Sequence, residues 1–287
     1  MVDTRAVASS STAEQLELTP AQWLSWDVNG YVLLKGLLDA NEVGAIKEAL
    51  YRLRSEEDLD ALRVYVNHRE PYRFHVGNLL EYDPALLAYA VHPTLAAFAE
   101  KLVGGMVRVE ETEAVINSRD QGDPELPQIR ERVKALGFHT GAREGWGTYY
   151  EDGHFHCLFV KALAYLSDVG PDDGGTAVIP GSHRLRWPQE DIIAAASSDE
   201  EMVHQVVAPA GSVLLFPESL VHSTTAIHSD AERVVFITGY SAALMREWPG
   251  NEMRQGFLDS LNVWDCALLA GEGGWRWWAG RGNRGKV

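Results

Sequence analysis

The sequence predicts a mainly β fold, a sandwich or jelly roll with flanking helices, and two observations carry that expectation. Five apolar or alternating runs lie between residues 106 and 242: "MVRVEETEAVINS", "CLFVKALAYLSDV", "GGTAVIPGSH", "GSVLLFPESLVH" and "RVVFITGYSA". All are short and separated by Gly, Pro and Asp turns, the pattern of packed antiparallel strands. Before residue 105 the apolar spacing is mostly helical instead.

Taken in order, residues 1–15, "MVDTRAVASSSTAEQ", are polar and lack the apolar stretch of a secretory signal, so a flexible tail is expected. Residues 16–287 are expected to form a single domain. Thr19 and Pro20 open a helix that Asn29-Gly30 ends, and "YVLLKGL" follows as a strand. Asp39 caps the next helix, with Val43, Ile46, Leu50 and Leu53 on one face. A third helix is predicted from Pro84 to about Leu102, stopped by Gly104-Gly105. Residues 119–137 and 184–203 are expected excursions from the β core, the second partly helical. At the C-terminus Trp264, Trp275, Trp277 and Trp278 suggest a tail helix packing on the sheet or on another subunit, with an aromatic substrate wall as the alternative.

Charge and cysteine content narrow the function classes. A net charge of -16 argues against a nucleic-acid polymer or an anionic membrane as partner, while leaving room for a small anionic ligand in a local cluster of arginines. Cys157 and Cys266 are far apart and in no paired motif, which fits a reducing cytoplasm. No run approaches the length of a membrane span.

Three residues in the strand-rich half carry the chemistry. His139 lies in "GFHTGAREGW", His222 ends "LLFPESLVH", and Arg233 opens the strand after "STTAIHSDAE". A jelly roll brings distant strands side by side, so the two histidines could share one face of an iron(II) centre that leaves positions open for cosubstrate and oxygen. Arg233 could point into the barrel and hold a carboxylate in a bidentate pair.

The surrounding motifs match a family. "LTPAQWLSWDVNGYVLLKGLLDANEV", "VHPTLAAFAEKLVGG", "KALAYLSDVGPDDGGTAVIPGSHR" and "VVAPAGSVLLFPESLVHSTTAIHSDAERVVFITGYS" together resemble the phytanoyl-CoA dioxygenase-like branch of the iron(II)/2-oxoglutarate-dependent oxygenases, over about residues 18–245. The resemblance implies a double-stranded β-helix, a cupin-like jelly roll. It implies His139 and His222 as iron ligands and Arg233, with Thr225 nearby, as the 2-oxoglutarate site. His154 and His156 in "EDGHFHC" have the wrong spacing for ligands and are expected to line the pocket or face solvent.

One position departs from the family pattern. Gly141 stands where the His-x-Asp motif has its aspartate. "HTG" is similar to the ligand set of the iron/2-oxoglutarate halogenases, in which chloride takes the place of the carboxylate. The resemblance therefore implies a halogenase using Fe(II), 2-oxoglutarate, O2 and chloride to chlorinate an unactivated aliphatic C–H, with Gly141 as the halide position. A hydroxylase with an unusual two-histidine ligand set is the alternative, and a non-catalytic binding protein a third reading. On the halogenase reading, Gly141→Asp is expected to abolish chlorination.

For substrate, "VNHREPYRFHVGN" concentrates His68, Arg69, Arg73 and His75, and Arg143, Arg184 and Arg186 are further candidates. Such a cluster could bind phosphate or carboxylate, with Tyr72, Phe74 or Trp146 stacking on a flat base. Pairing of these arginines with the chain's surplus carboxylates explains them equally well. A free nucleoside monophosphate of the deoxyadenylate kind is the leading expectation, an amino acid or alkaloid the alternative.

Overall fold

The computed structural model describes residues 17–120, 137–142 and 145–271. The expected tail, nearly all of the 119–137 excursion, Arg143, Trp275, Trp277 and Trp278 lie outside the described residues. Twelve strands are described: β1 (Val32–Leu34), β2 (Tyr65–Glu70), β3 (Arg73–Gly77), β4 (Val107–Asn117), β5 (Thr148–Glu151), β6 (His154–Cys157), β7 (Phe159–Tyr165), β8 (Thr176–Val178), β9 (His204–Val206), β10 (Val213–Pro217), β11 (His222–Thr224) and β12 (Arg233–Ala242). A seven-stranded sheet has the order β1-β10-β7-β12-β4-β3-β2, and a three-stranded sheet the order β11-β8-β9. Every pairing is antiparallel.

The central strands of the large sheet are buried on both faces, while the edge strand β2 is largely exposed, and strand parity sorts the side chains. Val234, Phe236 and Tyr240 of β12, with Val160 and Ala162 of β7, join the helix-side core around Trp26, Leu50 and Phe98. Val235 of β12, Leu163 and Tyr165 of β7, and Phe216 of β10 meet Val178 and Val206 of the small sheet instead. The Tyr165 hydroxyl donates to Thr176 Oγ1 at 2.8 Å, linking the two layers. The two sheets therefore enclose an interior onto which Lys161 and Arg233 are directed by the same alternation.

The helices form largely where the caps require. Thr19 and Gln22 make a reciprocal capping box on helix Pro20–Asn29, Asp39 and Glu42 make another on helix Ala40–Ser55, and Gly30 ends the first helix at φ 85. Ile46, Leu50 and Leu53 are buried as their spacing predicts.

Three expectations need correction. The single helix from Pro84 is two, Pro84–Ala90 and Pro93–Val103, because Pro93 has no amide hydrogen to continue the first and disfavours a helical residue before it. "GSVLLFPESLVH" is two strands in different sheets, β10 and β11, joined by a turn in which Leu220 N donates to Pro217 O. Trp264 is 73% exposed on helix Val263–Ala270 and does not pack on the sheet. Two hairpins, β2–β3 and β5–β6, were not expected as strands. Among the described residues no helix is long and apolar enough to cross a membrane.

Candidate functional site

His139 extends the small sheet by one bridge. Its N–H donates to His222 O at 2.9 Å and the His222 N–H returns the bond at 3.0 Å, which sets the imidazole centroids 4.3 Å apart. His139 Nδ1 lies 3.2 Å from Gly137 O, and His222 Nδ1 2.8 Å from Leu220 O. With Nδ1–H donated to a carbonyl, each ring presents its Nε2 lone pair, the tautomer a metal ligand needs. Burial, and next the adjacent His139 ring, push the His222 imidazole down to about 3, so it is neutral near pH 7.

Arg233 is 3% exposed at the start of β12. Its Nη2 lies 3.5 Å from Thr176 Oγ1, and its buried Nε has no hydrogen-bond partner. A guanidinium so placed calls for an anion, since an unpaired buried charge is costly. Thr225 lies nearby, 7% exposed, its hydroxyl donating to Gly175 O at 3.0 Å.

At Gly141 the structure adds a residue that the motif reading missed. A Cβ there would overlap Oε2 of Glu218 and come within 3.2 Å of its Oε1. The Gly141 and Ala142 amides donate to Glu218 O at 2.9 and 3.2 Å, pinning that turn against the "HTG" loop. The volume beside Gly141 is therefore filled by a carboxylate borrowed from the β10–β11 turn. Burial first, then the charges of Glu110 and Glu113, push the Glu218 carboxyl up to about 8. A metal cation beside it would reverse that shift by favouring the ionised form. Among the described residues no three His, Cys, Asp or Glu side chains converge as a ready-made metal cluster.

These residues line one cavity of about 1170 Å³ between the sheets. Lys161, from the interior face of β7, contacts Glu111 closely and lies 3.1 Å from Glu218 Oε1. A lysine inside "FVKALAY" and a glutamate four residues before His222 were the available sequence signals for this pair.

The expected substrate residues divide. Arg73, His75, Tyr72 and Trp146 line the cavity, with Arg73 exposed at its mouth. Trp146 stacks on Phe159 at 5.4 Å. Arg69 does not line it, because its guanidinium is held by Glu56 O. Arg184 is likewise turned away, to Asp27 O at 2.9 Å and the Tyr150 hydroxyl, and Arg186 is not on the wall either. Phe74 belongs to the core, because β3 turns it toward the helix layer. Of the two histidines in β6, His154 pairs with Asp27 at 2.7 Å and His156 is buried against Leu102 O, so neither lines the cavity.

The sequence matches the phytanoyl-CoA dioxygenase (PhyH) family over residues 26–235, well over half of its length. The chain belongs to the phytanoyl-CoA dioxygenase family. It is thus an enzyme of the iron/2-oxoglutarate oxygenase type. Within reach of this family member, ectoine dioxygenase of Sphingopyxis alaskensis is 24% identical over 243 residues, 76% of this chain and 74% of that protein. L-proline trans-4-hydroxylase of Streptomyces griseoviridis is 25% identical over 198 residues, 58% of this chain and 66% of the hydroxylase. Among solved structures, HygX from Streptomyces hygroscopicus, with nickel, 2-oxoglutarate and hygromycin B bound, superimposes with a TM-score of 0.64 at 23% identity, covering 80% of this chain and 90% of HygX. The shared fold is the jelly roll expected from the sequence.

Proposed function

We propose that this protein is an iron(II)- and 2-oxoglutarate-dependent oxygenase that hydroxylates an aliphatic C–H bond of a small molecule. The observation that carries the choice of hydroxylation is Glu218, whose carboxylate stands where a side chain at residue 141 would be. Bound iron would supply the oxygen chemistry: substrate, 2-oxoglutarate and O2 give hydroxylated substrate, succinate and CO2. The similarity to an ectoine dioxygenase and an L-proline trans-4-hydroxylase supports the same reading.

His139 and His222 turn their Nε2 atoms away from the carbonyls that their Nδ1 atoms face. Glu218 would supply the carboxylate that residue 141 lacks by swinging toward them, since the three side chains do not converge as they stand. Arg233 takes the far carboxylate of 2-oxoglutarate, with Thr176 and Thr225 beside it. Leu163, Val235 and Ile237 line the cavity and limit water near the reacting carbon.

Gly141 itself favours the second reading, a halogenase, since it leaves the HTG motif without its own carboxylate. That reading requires Glu218 to vacate the space for chloride. Incubation with iron(II), 2-oxoglutarate and 18O2 in a metabolite extract, with and without chloride, separates the two. A labelled product independent of chloride is expected. A product with the chlorine isotope pattern would replace hydroxylation by halogenation.

A further inference from the structure

The interior wall opposite the small sheet is acidic because of one irregularity in β4. Gly239 of β12 pairs with Glu111, and the next residue, Tyr240, pairs with Val109, so Glu110 is an extra residue in β4. Such a bulge turns two consecutive side chains to one face. Val109 on one side of the bulge and Ala114 on the other both pack into the helix-side core. Glu110, Glu111 and Glu113 consequently all line the cavity, where regular alternation would have sent Glu110 and Glu111 to opposite faces.

The local charges do not cancel. Lys161 serves both Glu111 and Glu218. Glu113 is engaged by the Tyr65 hydroxyl at 3.2 Å and His75 Nε2 at 3.2 Å. Glu110 is 4% exposed, yet among the described residues its carboxylate has no hydrogen bond or ion pair. Burial raises its pKa, and Lys161 and Arg108 only partly oppose the shift. A buried carboxylate is normally hydrogen-bonded, and Glu110 meets only the nearby charges of Lys161 and Arg108, so it has acceptor capacity left for a donor in the cavity. The cavity of about 1170 Å³ also exceeds the roughly 300–1,000 Å³ typical of a drug-sized ligand.

We propose that Glu110, supported by Glu111 and Glu113, binds a cationic nitrogen of the substrate, an ammonium or guanidinium on a molecule large enough to reach from the β4 bulge to His139 and His222. This rests on the oxygenase reading for the place of the reacting carbon, and it reverses the anionic substrate expected from the arginines. The wall fixes the end of the substrate remote from the metal, and so selects which carbon faces the histidines. Exposed Tyr72, Trp146 and Trp248 at the mouth supply flat faces for the rest of the molecule.

The test is calorimetric binding to the full chain loaded with manganese(II) and 2-oxoglutarate. Probes are spermidine, kanamycin and arginine amide, against fully acetylated spermidine, sucrose and deoxyadenosine monophosphate. At least one amine should bind more tightly than all three controls, and Glu110→Gln should weaken it by roughly tenfold or more. Wild-type discrimination between spermidine and its acetylated form reads the same interaction without a variant. The proposal is overturned if no amine exceeds the controls, if the monophosphate binds best, or if a folded Glu110→Gln protein binds amines unchanged. Metal and 2-oxoglutarate binding are recorded on the same samples. Their failure would sink the oxygenase reading, while amine binding repeated without them still decides this one.

Discussion

Oε2 of Glu218 occupies the space into which a side chain at Gly141 would grow. The clash is with the far end of a flexible side chain, so a substitution at 141 displaces a carboxylate without breaking the fold. Gly141→Ala should therefore keep its thermal stability to within about 1 kcal/mol while weakening metal binding. Glu218→Ala should weaken manganese(II) binding by about 10- to 100-fold, and Gly141→Asp in that background should recover most of the loss. Isothermal titration of the four proteins checks this, and failure of the double variant to recover affinity would deny Glu218 its role.

Arg233 is buried with an unpartnered Nε, so 2-oxoglutarate should stabilise the folded chain by supplying the missing anion. Thermal unfolding with manganese(II) should shift upward with added 2-oxoglutarate in the wild type and not in Arg233→Leu. Metal affinity without 2-oxoglutarate should be similar in the two. An equal upward shift in both proteins would remove Arg233 from the cosubstrate site.

His183 gives a pH dependence that belongs to the scaffold. It is 1% exposed, neither ring nitrogen has a partner, and a Cβ at Gly30 would collide with its ring. Burial, then the charge of Arg184, push its imidazole down to about 4. The unfolded chain, with the ordinary value near 6.5, then binds more protons between those pH values. The contribution is thus present above pH 6.5 and is lost as pH falls through 4. Between pH 7 and pH 5 the wild type should lose about 2 kcal/mol more stability than His183→Gln, measured by denaturant unfolding at both pH values. Parallel losses in the two proteins would refute the assignment.

How much of this was legible in the sequence depends on whether parity was kept. β12 runs Arg233–Ala242 as its alternation predicts, and that parity places Arg233 in the interior. His139 and His222 were singled out by the resemblance of their motifs to the family, and the structure sets them side by side through one bridge. Glu218 was not singled out, because it lies in a turn between two sheets and only the amides of Gly141 and Ala142 bring it to the site. Glu110 and Glu111 were hidden by the bulge, since "VRVEETEAVIN" reads as plain alternation and a bulge depends on the partner strand. Arg69 and Arg73 were misread as one cluster. In the β2–β3 hairpin Arg73 lines the cavity, while Arg69 is drawn away to Glu56 O.

The most direct test of the central claim needs no substrate. Iron(II) and 2-oxoglutarate are added to the protein without oxygen, and the visible charge-transfer absorption of the complex is followed as chloride replaces acetate. With Glu218 filling the place beside Gly141, the wild-type spectrum should not respond to chloride, whereas Glu218→Ala should show a saturable shift. A saturable chloride shift in the wild type would contradict the account and return Gly141 to the halide.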